Sequence, residues 1–365
     1  MRAAVLHNYG ERLKVEEVEL ESPKIGEVRV QIKAAGICHS DLHVMNADLP
    51  LPLPMVLGHE GAGVVDAVGE GVTRVKPGDH VVLNWVPECG ECFYCRSGRP
   101  DMCEEALKLS ASGTMADGTT RFQVDGKRVH QFNQTGTFAE YTVVPESGAV
   151  PVREDVPFEL ACLVGCGVMT GVGAVTNTAK VKPGSTVAVI GTGGVGLNVI
   201  QGAALSGAKQ IISVDLLDEK LEMTRTFGAT DTVNAGNQDV IQAVLDLTGG
   251  LGVDYAFEVI GRPQTMAQAY NITNKTGTAV IVGIAPPHES VSVNAFSLPS
   301  QGKTLTGSWY GQANASIDIP RLIDLYAAEK IKLDPLISKF YALDQINEGF
   351  EELKTGKNAR GVIRF

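Results

Sequence analysis

The sequence predicts an α/β protein of two domains, one built on a small irregular β-sheet and the other on a doubly wound parallel sheet. Its 365 residues exceed what one compact core usually holds, which favours two domains. Short Val- and Gly-rich runs fill the first half, as in EVRVQIKAAG, GAGVVDAVGE and DHVVLNWV, and they indicate strands. From about Lys182 strand-like and helix-like runs alternate, which is typical of a parallel sheet.

The alternating region can be followed element by element. STVAVIG, KQIISVD, DTVNA, VDYAFEVIG and TAVIVGI are predicted strands, because they are short, apolar and rich in β-branched residues. Between them lie the predicted helices VGLNVIQGAALSGA, DEKLEMTRTFGA, QDVIQAVLDLTGG and PQTMAQAYNITN. Beyond about Ser308 the pattern changes to two amphipathic helices, DIPRLIDLYAAEKI and LDQINEGFEELKTG, and a last strand, GVIRF.

Composition and charge exclude several classes of function. The net charge is −11, from 31 basic and 42 acidic residues, and without a basic cluster we expect no nucleic-acid partner. We find no apolar run long enough to cross a bilayer, and therefore expect no membrane partner. The first twenty residues lack the features of a signal peptide, which predicts a cytoplasmic protein. In that compartment the seven cysteines point to metal binding or chemistry rather than disulfides.

Four of these cysteines are concentrated in the run CGECFYCRSGRPDMC. They are Cys89, Cys92, Cys95 and Cys103. A C-x2-C-x2-C-x7-C spacing can surround a tetrahedral ion, so a structural zinc site is predicted. Unpaired buried thiols and an iron–sulfur cluster are the alternatives.

A glycine-rich turn follows the first strand of the alternating region and opens a helix. It comprises Gly191, Gly193, Gly194, Val195 and Gly196. In that context the pattern predicts a dinucleotide pyrophosphate site, because the backbone can approach the phosphates at a helix N-terminus. Asp215 ends the next strand, where a carboxylate accepts the adenosine ribose hydroxyls and repels a 2′-phosphate, so NAD is favoured over NADP. The alternative is a packing turn with Asp215 as a helix cap.

Three cysteines remain outside the four-cysteine run. Cys38 lies in GICHSD, Cys162 and Cys166 lie in CLVGCGV, and His59 lies in GHEGAG. Two cysteines and one histidine form a ligand set known at catalytic zinc sites. Their wide separation in sequence leaves open the alternative that they are ordinary core residues.

Taken together, these motifs resemble the zinc-dependent alcohol dehydrogenases of the medium-chain dehydrogenase/reductase family. The resemblance runs through GICHSD, GHEGAGVVDAVGEGV, the four-cysteine run, GTMADGTTRF, CLVGCGV, GTGGVG and GKNARGVIRF. It implies a GroES-like catalytic domain in residues 1–167 and 311–365, with a structural zinc lobe at 89–103, and an NAD-binding Rossmann domain in residues 168–310. It also implies two Zn²⁺ per chain, one held by the lobe and one by Cys38, His59 and Cys166, with Cys162 outside both sites.

The family's chemistry implies reversible oxidation of primary alcohols, medium-chain or aromatic, by hydride transfer to NAD from a zinc-bound alkoxide. Ser40 and His43 are then expected to relay the proton through the nicotinamide ribose. The alternatives are a helix-capping serine and a surface histidine. The resemblance also places Asp41 against the imidazole of His59, and Glu60 near the zinc.

Other residues are matched to the cofactor and the substrate through the same resemblance. Lys220 is expected at the adenosine ribose, and Arg360 and His39 at the pyrophosphate, with His39 standing where many members carry arginine. The expected pocket residues are Trp85, Phe132, Asn133, Ile284 and Trp309, with Leu57 and Leu109 near its mouth.

Two alternative functions remain open. A thiol-dependent formaldehyde dehydrogenase, acting on S-hydroxymethyl-glutathione or -mycothiol, is the nearer one, although ADLPLPLPM lacks the acidic residues of that branch after Asp48. A non-catalytic, metal-stabilised redox sensor is the other, and the presence of Cys38, His59, Cys166 and Ser40 argues against it. The family further implies a homo-oligomer, and a dimer is favoured over a tetramer.

Overall fold

The computed structural model describes residues 1–356 and 359–365, and it divides them into two compact units. Unit 1 consists of Met1–Cys166, Asn314–Glu329 and Leu333–Phe365, and unit 2 of Gly167–Ala313 and Lys330–Lys332. The domain boundaries predicted from the sequence lie after residue 167 and before residue 311. The short piece Lys330–Lys332 joins unit 2 because the Lys332 amide donates to Gln201 Oε1, at 2.8 Å.

The strands and helices follow one another along the chain. The strands are β1 (Arg2–Leu6), β2 (Lys14–Glu17), β3 (Glu19–Leu20), β4 (Glu27–Ile37), β5 (Met55–Val56), β6 (Glu60–Val68), β7 (His80–Leu83), β8 (Phe122–Val124), β9 (Lys127–Gln131), β10 (Tyr141–Pro145), β11 (Ala149–Pro151), β12 (Thr186–Ile190), β13 (Gln210–Asp215), β14 (Asp231–Asn234), β15 (Val253–Glu258), β16 (Thr273–Ile281), β17 (Thr304–Gly307), β18 (Ile337–Ala342) and β19 (Arg360–Arg364). The helices are α1 (His39–Met45), α2 (Phe93–Arg96), α3 (Glu104–Ser112), α4 (Phe158–Leu163), α5 (Met169–Gly173), α6 (Gly194–Leu205), α7 (Asp218–Thr226), α8 (Val240–Leu247), α9 (Pro263–Ile272), α10 (Ser297–Gln301), α11 (Ala315–Ala327) and α12 (Ile346–Lys354).

Unit 1 is built on two sheets. One has the strand order β2-β1-β5-β9-β8-β3, and the other has the order β11-β7-β6-β4-β19-β18 with β10 also paired to β4. β4 organises the second sheet, because it pairs antiparallel with β6, β10 and β19. Its side chains alternate between buried and half-buried before Lys33, and its last four residues are all buried. The end of β4 therefore lies inside the unit, next to the first residues of β6.

Unit 2 is built on one parallel sheet with the order β14-β13-β12-β15-β16-β17. The chain begins in the middle at β12, runs outward to β14, and returns to β15 on the other side of β12. This reversal creates a crevice at the carboxyl ends of β12 and β15, where ligands of such sheets bind. The predicted doubly wound parallel sheet is confirmed.

One helical segment departs from the expectation that no part of the chain is apolar enough to cross a membrane. Within the described residues, the 22-residue segment Phe158–Ala179 has a mean hydropathy of 1.8, which reaches that of a membrane span. It is 83% buried inside the protein, so its apolar character is that of a core helix. Two π-helical turns, Val164–Val168 and Ala174–Ala179, interrupt it.

Candidate functional site

The predicted catalytic ligands come together at one end of the β4–β6 pair. Cys38 directly follows β4, and His59 directly precedes β6. Because the two strands are antiparallel, with Gly36 opposite Glu60, these residues lie at the same end of the sheet. Cys166 joins them from the π-helical turn Val164–Val168, a distortion that is frequent at functional sites. Candidate ligand atoms of Cys38, His59, Glu60 and Cys166 all lie within 4.8 Å of one another.

The donor set of this cluster suits zinc. Cys38, His59 and Cys166 are 7%, 1% and 8% exposed, and two thiols with one imidazole leave a fourth position of a tetrahedron available. The Nδ1 atom of His59 lies 3.3 Å from Asp41 Oδ1, so Nε2 is the ring nitrogen left for a metal. The hydrogen bond between the two thiols lowers the pKa of Cys38 well below its usual value and raises the pKa of Cys166, so Cys38 is the thiol that ionises first.

Asp41 is held in place from several sides. Its Oδ1 atom accepts a hydrogen bond from the Gly58 amide at 2.9 Å, and its Oδ2 atom accepts one from the Cys38 amide at 3.3 Å. The residue is fully buried. Burial opposes charge on His59, but the negative charges of Asp41 and Cys38 outweigh it and raise the pKa of the imidazole. Asp41 therefore fixes both the position and the tautomer of the imidazole, as the sequence analysis expects.

Glu60 lies beside this cluster as a buried carboxylate with one charged partner. Its Oε1 atom is 3.2 Å from Arg360 Nη2, and its Oε2 atom has no hydrogen-bond partner in residues 1–356 and 359–365. Burial raises the pKa of Glu60 to about 7, although Arg360 opposes the shift. Gly36 makes the arrangement possible, because a Cβ atom there would lie 2.2 Å from Glu60 Oε2.

Arg360 lies against Glu60, whereas the family resemblance predicts it at the cofactor pyrophosphate. The residue is 4% exposed, and its Nη1 atom donates to the Ile37 carbonyl at 3.5 Å. Within unit 1 its guanidinium therefore neutralises a carboxylate of the metal cluster. Its role toward a pyrophosphate remains a prediction.

Helix α1 carries the three other predicted functional residues of this region. The Cys38 thiol lies 3.7 Å from Ser40 Oγ, which puts the serine hydroxyl next to the metal cluster. His43 is three residues further along, on the same helix face, and its Nδ1 atom lies 3.0 Å from Asp48 Oδ2. His39 is exposed at the first position of the helix.

Aromatic rings surround His59. Phe132 meets the imidazole edge-on at a centroid distance of 5.3 Å, and Trp85 does so at 6.3 Å. Asn133, which follows Phe132, has the left-handed backbone angle φ 51° and accepts a hydrogen bond from Ser110 Oγ. The structure thus places Trp85, Phe132 and Asn133 on the side of unit 1 that carries the metal cluster.

The other predicted pocket residues are placed differently. Leu57 is fully buried, and its carbonyl accepts from the Phe138 amide at 3.0 Å, so it belongs to the core behind His59 rather than to a pocket mouth. Leu109 is half-buried on α3, next to Ser110. Ile284 is 52% exposed and, like the half-buried Trp309, belongs to unit 2. The pocket role of these two remains a prediction.

The four-cysteine lobe forms a second cluster of potential ligands. The Sγ atoms of Cys89, Cys92, Cys95 and Cys103 lie within 4.8 Å of one another, and all four thiols are free. Cys92 and Cys103 precede α2 and α3, and their sulfurs accept main-chain N–H groups of those helices. Hydrogen bonds from Cys95 and Glu104 amides lower the pKa of Cys92 to about 6. A closed set of four thiols, with sulfurs stabilised by N–H groups, suits a structural zinc ion.

The glycine turn of unit 2 has the geometry that a dinucleotide requires. Gly191 has φ +96°, and a Cβ atom on Gly196 would lie 2.0 Å from the Gly191 carbonyl oxygen, so only glycine fits at these two positions. A Cβ atom on Gly193 would meet nothing within 4 Å, which leaves open space before the first turn of α6. Gly194, Val195 and Gly196 form that turn. The cradle fits a pyrophosphate group at a helix N-terminus.

Asp215 ends β13 beside this turn. Its Oδ2 atom accepts from the Thr192 amide at 2.9 Å and from the Thr192 hydroxyl at 2.8 Å. Lys220 Nζ is 3.8 Å from the same oxygen, so the structure brings both predicted ribose-binding residues together. Thr192 was not predicted as a site residue, because it occupies a variable position of the glycine pattern.

Both the fold and the two cysteine clusters define a class of protein. Residues 24–154 match the model of the alcohol dehydrogenase GroES-like domain, and residues 194–328 match that of the zinc-binding dehydrogenase. The chain belongs to the zinc-dependent alcohol dehydrogenases of the medium-chain dehydrogenase/reductase family, which confirms the resemblance drawn from the sequence. It is an oxidoreductase with a GroES-like domain and a Rossmann-type domain.

Individual relatives match over the full length. S-(hydroxymethyl)glutathione dehydrogenase of Paracoccus denitrificans is 43% identical, with 100% of this chain and 99% of the relative covered. The crystal structure of benzyl alcohol dehydrogenase from Acinetobacter calcoaceticus has a TM-score of 0.95 at 34% identity, with 100% and 99% of the two chains covered. An alcohol dehydrogenase zinc-binding domain protein of Burkholderia ambifaria has a TM-score of 0.96 at 36% identity, with 100% and 98% covered.

Proposed function

We propose that the protein is a zinc- and NAD-dependent alcohol dehydrogenase that reversibly oxidises free primary alcohols, medium-chain or aromatic, to aldehydes. The observation that carries the proposal is the buried cluster of Cys38, His59 and Cys166 with the rings of Phe132 and Trp85 set edge-on to the imidazole. Apolar walls around a few polar groups are typical of sites for small organic substrates. The full-length likeness to a benzyl alcohol dehydrogenase supports this substrate class.

Three residues would hold the catalytic zinc: Cys38, His59 and Cys166. A zinc ion bound there would act as a Lewis acid and lower the pKa of an adjacent hydroxyl group, as it does for water, from about 15.7 to about 7. The protein's contribution is geometric and electrostatic. Asp41 orients the imidazole through a 3.3 Å contact, and Arg360 offsets the charge of Glu60.

Ser40 and His43 would move the proton that the alcohol loses. Ser40 Oγ lies 3.7 Å from the Cys38 sulfur, close enough to the predicted zinc to accept a proton from a substrate hydroxyl and pass it on. His43 is half-buried, with 40% of its side chain exposed, and can release a proton to solvent. The contact of its Nδ1 atom with Asp48 leaves Nε2 to receive that proton. General acid–base transfer of this kind contributes about 10²–10⁴-fold to rates.

NAD is the proposed cofactor. The cradle formed by Gly191, Gly193 and Gly196 accommodates a pyrophosphate, and Asp215 carries a negative charge at the end of β13. A carboxylate at this position favours an unsubstituted ribose over a 2′-phosphate. His39, exposed at the start of α1, is proposed to contact the pyrophosphate together with Arg360.

A second candidate is the oxidation of a thiol adduct of formaldehyde. Its support is the 43% identity with S-(hydroxymethyl)glutathione dehydrogenase. The segment after Asp48, which reads LPLPLPM, is apolar and uncharged. A charged thiol adduct would find no counter-charge in it, so we prefer the free-alcohol assignment.

Comparing the two substrate classes tests the proposal. Zinc-loaded protein is incubated with NAD and benzyl alcohol, geraniol or hexanol, and separately with formaldehyde plus glutathione or mycothiol, while NADH absorbance is followed. Turnover of the free alcohols is expected. Activity only with a thiol present would move the protein to the second candidate, and turnover with NADP but not with NAD would overturn the cofactor assignment.

We also propose that the protein is a homodimer. β17 ends the strand order of the unit 2 sheet, and such an edge can pair with the same strand of a second copy. Sedimentation velocity should therefore report a mass twice that of the 38.7 kDa chain. A monomer would contradict the proposal, and a tetramer would require a second interface.

A further inference from the structure

Asp215 and Thr192 form a tightly bonded pair in unit 2. Thr192 is 2% exposed, and it donates two hydrogen bonds to one carboxylate oxygen of Asp215, from its amide at 2.9 Å and from its hydroxyl at 2.8 Å. The other oxygen, Oδ1, accepts the Leu216 amide at 2.8 Å. The carboxylate is thus oriented by three donors before any ligand arrives.

Counting acceptor sites shows what this arrangement leaves for a ligand. An ionised carboxylate offers about four lone-pair sites, two on each oxygen. Thr192 occupies both sites of Oδ2, and Leu216 occupies one of Oδ1. The remaining acceptor therefore belongs to Oδ1, and Thr192 determines which oxygen of Asp215 a ribose hydroxyl can reach.

Lys220 lies near the same oxygen of Asp215 that Thr192 bonds. Its Nζ atom is 3.8 Å from Oδ2, which is beyond a direct hydrogen bond. If the threonine hydroxyl were absent, Oδ2 would regain an acceptor site within reach of the ammonium group. The carboxylate could then pair directly with Lys220 and would present less negative charge to a nucleotide.

We propose that Thr192 is a positioning residue that sets the preference for NAD over NADP by holding Asp215 toward the adenosine ribose and away from Lys220. This inference rests on the proposed use of NAD. It assigns a function to a residue at a variable position of the glycine pattern, which the sequence analysis did not single out. Hydrogen bonds to charged groups are stronger than those between neutral groups. The effect of Thr192 on the preference for NAD over NADP should therefore be measurable from nucleotide binding, without turnover.

The test compares two substitutions of similar size. Thr192→Val keeps the branched shape and removes the hydroxyl, whereas Thr192→Ser keeps the hydroxyl. Dissociation constants of NADH and NADPH are measured by nicotinamide fluorescence in zinc-loaded protein, without substrate, so the result does not depend on turnover. Thr192→Val should weaken NADH binding about tenfold, with a smaller change for NADPH, since one charge-assisted hydrogen bond is removed. Thr192→Ser should restore the wild-type ratio.

A double-mutant cycle separates positioning from a structural effect. In an Asp215→Ser background, Thr192→Val should leave the NADH to NADPH ratio unchanged, because the carboxylate through which Thr192 acts is gone. Equal weakening of both nucleotides by Thr192→Val, or a persisting change of ratio in the Asp215→Ser background, would overturn the inference. A wild-type preference for NADPH would refute the proposed cofactor, and the change in ratio would then still show whether Thr192 acts through Asp215.

Discussion

The two cysteine clusters of unit 1 are built in opposite ways. The lobe takes its four thiols from fifteen consecutive residues, Cys89 to Cys103, and Cys89 is exposed. The other cluster takes Cys38, His59 and Cys166 from distant parts of the chain, and all three are buried. The first is a local structure with a uniform ligand set, and the second depends on the folded sheet and has mixed ligands.

This difference predicts that the lobe supports the stability of the fold and that the buried cluster supports catalysis. Four thiolates around one ion would leave no position for a substrate, so we expect the lobe to stabilise the fold. The buried cluster has three predicted ligands, with a carboxylate, Glu60, and an arginine, Arg360, packed beside it. We expect substitutions in the buried cluster to change turnover, and substitutions in the lobe to change the unfolding equilibrium.

Substitution of Cys166 should separate the effect on turnover from the effect on stability most clearly. Cys166→Ser is expected to lower turnover by about 10³-fold or more, because several kcal/mol of Lewis-acid stabilisation are lost. The zinc content should fall by one ion per chain, and the unfolding midpoint should change little. Cys162→Ser is the matched control, since Cys162 lies one helical turn earlier, is fully buried and, among the described residues, donates only to the Glu159 carbonyl. Equal losses in both variants would contradict the assignment.

Substitutions in the four-cysteine lobe should reduce stability and leave turnover nearly unchanged. Cys95→Ser removes one of four thiolates, and since metal binding and folding are coupled in such sites, we expect a loss of several kcal/mol in the free energy of unfolding. Circular dichroism in denaturant measures this loss, and activity is followed in the same samples. The activity per folded molecule should remain near that of the wild type. A variant as stable as the wild type would show that the lobe is not a structural metal site.

Asp41 tests whether the buried cluster needs its supporting carboxylate. Asp41→Asn is expected to weaken zinc binding or turnover about 10–100-fold, as is typical when the partner of a ligating histidine is changed. Competition with a chromogenic chelator measures the zinc affinity. Asp66→Asn is the control, because Asp66 is an exposed carboxylate of β6 paired only with Arg29 among the described contacts. If the two variants behave alike, Asp41 does not orient His59.

The smallest effect is expected at an ion pair outside both clusters. Partial burial opposes ionisation of Asp117, but hydrogen bonds from Lys24 and Thr119 outweigh it, so the pKa of Asp117 is lowered. A lowered pKa stabilises the fold above the unfolded value of about 4, and the contribution disappears as the pH falls below it. Asp117→Asn should therefore reduce the free energy of unfolding by about 1 kcal/mol or less at pH 7.

The pH dependence of that variant provides the measurement. Unfolding midpoints in urea are compared for wild type and Asp117→Asn from pH 7 down to about pH 3, and the difference should stay nearly constant to about pH 4 and narrow below it. Turnover and zinc content should match those of the wild type throughout. A difference that grows with acidity would contradict the expected sign.

Local patterns predicted most of the fold. The alternating run GAGVVDAVGE lies in β6, and STVAVIG lies in β12. Both were predicted as strands because the burial of one or both faces of a strand determines its pattern of apolar residues. The π-helical turn at Val164–Val168 was not predicted. A π-helical turn differs from an α-helical turn by about one extra residue. Because the surrounding sequence is apolar throughout, the hydrophobic pattern does not reveal where that residue is inserted.

The sequence alone predicts the four-cysteine lobe better than it predicts the buried cluster. The lobe follows from spacing alone, whereas the buried cluster required a family resemblance, because its assembly depends on the pairing of β4 with β6 and on a distant helix. Leu57 was assigned to a pocket mouth through the family resemblance, which matches positions along the chain but does not give the depth of a side chain in this protein, where Leu57 is fully buried. Thr192 escaped notice because its role arises from a contact with Asp215, twenty-three positions later.

The position of β19 bears on the biosynthesis of the protein. β19 pairs with β4, and Arg360 at its start donates to the carbonyl of Ile37, 323 residues earlier. A ribosome that has released β4 must therefore synthesise all of unit 2 before this strand can dock. Unit 2 is almost continuous in sequence and can fold during that interval. Cys38, which directly follows β4, therefore lacks this neighbouring strand until β19 has been synthesised.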